Sequence, residues 1–184
     1  ATITVSNRDP FVGIVIEPSV SPRADDTLTR EVLTAETCDP DADATSINFT
    51  WTVAGTPVAA TSTTPTTSTL AGAFTLGQTV ACRADIEDGK GGTGADTAEV
   101  TIVNTPPRMD SVVVTPPTAR VGETFTCTAT ASDADAASDA ESLTITYEWS
   151  VEGDRIVGTG STYVVTSDED PGDAVVCSAF ATDA

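Results

Sequence analysis

Three aspartates at alternating positions, Asp39, Asp41 and Asp43 in the stretch DPDAD, are the densest group of ligand-type side chains in the chain. Carboxylates spaced in this way can turn toward one point, and a hard cation such as calcium collects about six to eight oxygen ligands. A second acidic stretch, DIEDGKGG, holds Asp85, Glu87 and Asp88. A third holds Asp133, Asp135, Asp139 and Glu141, and Asp183 stands near the last residue. Calcium is the cation expected of these groups; magnesium keeps its waters and rarely accepts an all-protein cage. The spacing departs from an EF-hand loop, whose Gly and distal Glu are missing here. Asp-rich loops also turn the chain and solvate it, so both readings are carried forward.

Other chemistry is scarce. The sequence has no His, so neither a Ser–His nor a Cys–His nucleophile pair can be built. No glycine loop of the phosphate-cradling type precedes a helix. Carboxylate pairs of the glycosidase type are not singled out by any spacing, and no enzyme is expected. The 28 acidic and 8 basic residues give a net charge of −20. Such a field repels nucleic acid and anionic membranes, which bind through basic patches. No apolar run approaches the ~18 residues of a bilayer span, and no leader-like segment opens the sequence. The four Cys include no CxxC pair, a pattern that suits disulfides in an oxidising, extracellular setting better than a metal site. Sugar attachment has two candidate places: Asn48 in the sequon NFT, and the run TSTTPTTST, with Thr64 and Thr66. A chance sequon and a polar edge strand explain the same residues.

The elements that position these groups repeat. TLTREVLTAETCDPDADATSINFTWTVAG is echoed by TFTCTATASDADAASDAESLTITYEWSVEG, and LGQTVACRADIEDG by PGDAVVCSAFATDA. Each copy runs through a Pro-bearing linker, an alternating strand, an acidic loop, a strand ending in Trp-x-Val-x-Gly, a Thr/Ser region and a strand with Cys. In INFTWTV, Ile47, Phe49, Trp51 and Val53 share one face, and Asn48, Thr50 and Thr52 the other. In the second copy Leu143, Ile145, Tyr147, Trp149 and Val151 form the apolar side. Period two with polar partners means sheets packed on one face and wet on the other. Closely spaced turn signals predict an all-β sandwich for each copy, and the interval from Asn7 to Asn104, roughly a hundred residues, is the size of one such domain.

The order Cys127, Trp149, Cys177 resembles immunoglobulin-like domains, in which a Trp packs on a bridge between the sheets. Over almost its whole length the chain is similar to the tandem Ig-like, PKD-like and cadherin-like repeats of very large bacterial and archaeal surface proteins. The DPDAD and SDADA loops, the Trp-x-Val-x-Gly strand ends and the NTPP linker carry the resemblance. It implies a cell-surface location. It also implies that the acidic loops and the incoming linkers, Asn7–Asp9 and Asn104, meet at one end of each sandwich around calcium, which would stiffen the hinge. The ligand set so implied is Asp39, Asp41, Asp43, Glu87 and Asp88 in the first copy, and Asp133, Asp135, Asp139 and Asp183 in the second.

Cys127 and Cys177 precede Asp133 and Asp183 by the same interval, which places them at one height and permits a bridge. Cys82 keeps that interval to Asp88, but Cys38 directly precedes Asp39, and Arg30 in TLTR takes the place of Cys127 in TFTC. At ~3.3 Å per strand residue the offset exceeds the ~7 Å that a disulfide spans. A Cys38–Cys82 bridge would need a bulge or a shifted loop; a free thiol or a partner on another chain are the alternatives.

The first copy runs through ADTAEVTIVN, whereas the second stops at FATDA, short of a final strand. The opening heptad ATITVSN matches AEVTIVN at Ala98–Asn104, with Ile3 in the place of Val100 and Val5 in the place of Ile102. The expected organisation is therefore two tandem Ig-like antiparallel β-sandwiches, 8–104 and 105–184, the second incomplete without a last strand. Residues 1–7 are a donor-like strand that completes a neighbouring domain. The neighbour is another copy, in a head-to-tail homopolymer, or the preceding repeat of one long chain. The functional expectation is a structural subunit of an extracellular filament. An adhesin that contacts cells or polysaccharide is the alternative, and an envelope-layer piece a weaker one.

Overall fold

The computed structural model describes residues 1–72, 74–135, 143–152 and 155–183. It is all-β and divides into two compact units, Ala1–Asn104 and Thr105–Ala184.

Unit 1 holds β1 (Ile14–Glu17), β2 (Thr27–Val32), β3 (Ser46–Val53), β4 (Thr56–Val58), β5 (Ser62–Thr63), β6 (Thr67–Ala71), β7 (Thr79–Glu87) and β8 (Thr93–Thr101). Two antiparallel sheets, ordered β1-β2-β6-β5 and β4-β3-β7-β8, make an Ig-like sandwich. The alternation in the sequence sets what is buried. Along β7, Val80, Cys82, Ala84 and Ile86 all enter the core, while Thr79, Arg83 and Glu87 face water. Trp51 on β3 lies directly across from Cys82 on the neighbouring β7, and its indole N–H donates to Ser68 Oγ at 3.0 Å. On β8, Val100 and Ile102, just past its end, close the core.

Unit 2 holds β9 (Arg108–Thr115), β10 (Thr124–Ser132), β11 (Thr144–Val151), β12 (Arg155–Thr159), β13 (Thr162–Val164) and β14 (Val175–Thr182). Its sheets are ordered β13-β10-β9 and β12-β11-β14. Trp149 lies opposite Cys177, as Trp51 lies opposite Cys82. Its indole N–H donates to Gly160 O at 2.9 Å, and the ring stacks between Phe125 and Tyr163 at centroid distances of 6.2 and 5.7 Å. Cys127 and Cys177 form a disulfide across the sheets, with Cα atoms 6.4 Å apart. Among the described residues, β14 pairs with β11 on one side and with no strand on the other.

Cys38 and Cys82 do not pair. Cys82 is buried in the core, whereas Cys38 is exposed and forms an isolated bridge with Phe11, its N–H donating to Phe11 O at 3.0 Å. The place of Cys127 is filled by Arg30, which is fully buried. Its guanidinium lies 3.1 Å from the centre of the Phe49 ring, and Nη1 donates to Thr66 O at 2.9 Å. Nε and Nη2 have no partner. Burial lowers the pKa of Arg30 and pushes the Cys82 thiol up to about 11. A buried cation without a counter-charge is a stability liability. Arg30→Cys is therefore expected to bridge to Cys82 and raise the stability of unit 1 by roughly 2–4 kcal/mol. The check is loss of both thiols by mass and a higher melting temperature that reductant reverses.

Candidate strand-acceptor groove and linker clamp

Two places in the structure gather side chains that the sandwich alone does not require. The first is the uncovered flank of β14. In unit 1 the corresponding flank of β7 is paired along its length by β8, from Thr79↔Thr101 to Glu87↔Thr93. Val100 and Ile102 are 8% and 1% exposed there. Unit 2 has the walls of the same slot without a filling. Val112 and Val114 on β9 correspond to Ile14 and Ile16 on β1, since Val114 pairs with Cys127 as Ile16 pairs with Arg30. Val112 is 41% exposed against 7% for Ile14, and Val121 is 62% exposed against 2% for Ala24. A groove of about 830 Å³ results; Val114, Val121, Phe125 and Val175 line it together with the charged Arg120 and Glu169.

Ile3 and Val5, the residues expected to enter such a groove, are 91% and 88% exposed, and Ala1–Ser6 form no secondary structure. An exposed β edge beside an apolar slot is a surface that proteins normally cover.

The second place is the acidic end of each unit. Asp39 Oδ1 accepts from the backbone N–H groups of Asp41 at 2.7 Å and Asp43 at 3.3 Å, which fixes the DPDAD loop. The loop holds the incoming linker. Asp41 Oδ2 accepts from Arg8 N–H at 2.7 Å, Asp41 Oδ1 from Arg8 Nε at 2.9 Å, and Pro40 O from Arg8 Nη2 at 2.6 Å. Asp88, buried, accepts from the Asn7 amide at 2.6 Å and from the backbone N–H groups of Lys90 and Gly92. Unit 2 repeats the scheme. Asp133 Oδ1 accepts from Asp135 N–H at 2.7 Å, and buried Asp135 accepts from the backbone N–H of Thr105. Sequence reasoning brought loops and linker together but missed the partner. That partner is the linker's own N–H at Arg8 and Thr105, and the parallel strings SNRDP and VNTPP were the available signal.

In this arrangement the carboxylates of the expected calcium set are turned toward the linker and the loop backbone. Among the described residues no three acidic side chains converge as metal ligands. Arg8 occupies both oxygens of Asp41, and Asn7, Lys90 and Gly92 occupy those of Asp88. Asp39 Oδ2 and Asp133 Oδ2, at the same place in the two units, are buried without a hydrogen-bond partner. Glu87 is engaged by Ser46, and Asp85 by Arg83. Asp139 and Glu141 lie outside the described residues.

Acid is expected to loosen the clamp. The pKa of Asp41 is lowered, chiefly by the Arg8 N–H, and that of Asp88 chiefly by the Asn7 amide, both from an ordinary 3.8. A lowered carboxylate pKa stabilises the folded state above the unfolded-state value, and the contribution is lost as pH falls through the folded-state value. The linker should thus stay clamped at neutral pH and release below about 3.8, read as collapse of the Arg8 and Asn7 amide shifts toward free-chain positions.

Of the sugar-attachment candidates, Asn48, Thr64 and Thr66 are exposed, and Thr64 Oγ1 lies 2.6 Å from Thr67 Oγ1. Among the described residues no helix is long and apolar enough to cross a membrane.

No protein-family model matches the chain, and no curated protein matches it in sequence. In structure it is similar to the fibronectin(III)-like modules of CbhA from Clostridium thermocellum, at 18% identity and TM-score 0.32, covering 93% of this chain and 86% of that one. It is similar to the adhesin InvE of Yersinia pseudotuberculosis, at 17% identity and TM-score 0.35, covering 94% of this chain and 51% of that one. It is also similar to the N-terminal eight Ig domains of Down Syndrome Cell Adhesion Molecule, at 16% identity and TM-score 0.43, covering 92% of this chain and 27% of that one. Overlays this loose add nothing to what strand order and register establish: the chain is a pair of Ig-like β-sandwiches.

Proposed function

We propose that the chain is a structural module of an extracellular surface fibre, joined head to tail by β-strand complementation. Residues Ala1–Asn7 of one copy fill the groove beside β14 of the next. The observation that carries this reading is the likeness of the opening heptad to the strand that lies in the matching slot of unit 1: Ile3 and Val5 repeat in sequence Val100 and Ile102, which fill there the place that the groove of unit 2 leaves open. The link is heterologous and does not close on itself, so it propagates. The Cys127–Cys177 bridge suits an oxidising compartment. At −20 per copy, neighbours repel, so assembly should strengthen with salt.

The test uses a chain lacking residues 1–7 and a synthetic peptide of sequence ATITVSN. The shortened chain is expected to stay monomeric and to bind one peptide per chain by calorimetry. If the full chain fails to assemble and the peptide fails to bind, an adhesin that acts through its loops becomes the better reading.

A further inference from the structure

We infer that the groove accepts its strand in one register, with named main-chain partners; this rests on the strand-complementation reading above. The register comes from unit 1, where the equivalent strand is in place. There Ile102 N–H donates to Gln78 O at 2.9 Å, Gly77 N–H donates to Ile102 O at 2.9 Å, and Val103 N–H donates to Pro22 O at 2.8 Å. Two turns of unit 1 contribute those acceptors and that donor, and both turns recur in unit 2.

The first turn is LGQT, which corresponds to PGDA. Gly77 and Gly172 both adopt positive φ, at 78° and 111°. Gln78 N–H donates to Thr75 O, and Asp173 N–H donates to Asp170 O. The second turn is SPRADD, which corresponds to TARVGE. Asp26 N–H donates to Arg23 O at 3.2 Å, and Glu123 N–H to Arg120 O at 2.9 Å. In each turn the acid's side chain also accepts from the arginine's N–H, Asp26 from Arg23 and Glu123 from Arg120. Both docking turns of unit 2 are therefore preset in the geometry that receives a strand in unit 1.

Carried across, Val5 N–H of the incoming copy donates to Asp173 O, Gly172 N–H donates to Val5 O, and Ser6 N–H donates to Ala119 O. Since Val100 pairs with Val80 and Thr101 with Thr79, Ile3 lies opposite Val175 and Thr4 opposite Ala174. Ile3 and Val5 then enter between β9 and β14, and Thr2 and Thr4 face out. A slip of one residue would reverse these faces and put threonine in the slot. The heptad reaches no further along β14 than Cys177, opposite Ala1. It occupies the Ala174–Cys177 half of the flank and leaves Ser178–Thr182, with the exposed Phe180, uncovered by this segment.

The test is oxidative cross-linking in a Cys38→Ser background, which removes the exposed native thiol. Directly opposed residues on antiparallel strands have Cα atoms about 4.5–5.5 Å apart, within disulfide reach. Thr4→Cys with Ala174→Cys is expected to give a ladder of covalent multimers on non-reducing denaturing gels. Thr2→Cys with Ala174→Cys, displaced by two residues on the same face, is expected to run as a monomer. A ladder from the displaced pair alone overturns the register and leaves strand complementation standing. No ladder from either pair overturns the register, and strand complementation falls with it if the unsubstituted chain also fails to assemble in sedimentation.

Discussion

Replacing both Ile3 and Val5 by Asp is expected to abolish head-to-tail assembly while leaving both sandwiches folded. The two side chains are 91% and 88% exposed in the isolated chain, so its own fold loses nothing when they change. In the groove each would be buried, worth about 1.5–3 kcal/mol apiece. Their loss alone weakens the contact by roughly 3–6 kcal/mol, a factor of about 10² to 10⁴ in dissociation constant. Carboxylates in an apolar slot lower it further, because a buried charge without a partner is strongly disfavoured. Sedimentation velocity reads the assembly, and the melting curve of the same sample reads the fold. Thr2→Asp with Thr4→Asp adds the same charge on the outward face and should retain assembly at high salt. Equal loss from both pairs at high salt would point to charge rather than burial and would remove Ile3 and Val5 from the contact.

Reduction of Cys127–Cys177 is expected to unfold unit 2 well before unit 1. Loss of a native bridge in a small domain typically costs about 2–5 kcal/mol. Unit 2 has little to offset it: its buried cluster is Cys127, Trp149, Tyr163 and Cys177, against the larger cluster of unit 1 that includes Val100 and Ile102. Unit 1 contains no disulfide, since Cys82 faces Arg30 instead. Under reductant the transition of unit 2 should therefore move down while that of unit 1 stays unmoved. Assembly should suffer too, because Cys177 stands on the strand that receives the donor. If both transitions move together, the units are not independent in stability. If neither moves, the bridge is dispensable and the core of unit 2 is stronger than its burial implies.

Much of this was legible in the sequence because strands write their faces at period two. Ile47, Phe49, Trp51 and Val53 could be assigned to one side of β3, and Asn48 to the wet side, from alternation alone. The repeat fixed Cys127–Cys177 by equal spacing to Asp133 and Asp183. Arg30 in the place of Cys127 was visible, but its consequence was not. A guanidinium sealed under Phe49 with two unpartnered nitrogens is a fact of packing, and no local pattern announces it. Carboxylate spacing makes the acidic loops conspicuous as candidate cation ligands. Their hydrogen-bond partners, the N–H groups of Arg8 and Thr105, are main-chain atoms that residue identity does not reveal.

The central claim is that residues 1–7 become a β-strand in the groove of another copy. Amide hydrogen exchange of Thr2–Ser6 tests it most directly, compared between dilute monomer and assembled fibre. The account predicts unprotected exchange in the monomer and, in the fibre, strong protection at Ile3, Val5 and Ser6, whose N–H groups gain partners in this register, accompanied by new protection at Gly172, whose N–H is the groove's donor. Fibres in which Thr2–Ser6 still exchange at free-chain rates would contradict it, and the link between copies would have to be sought at another surface.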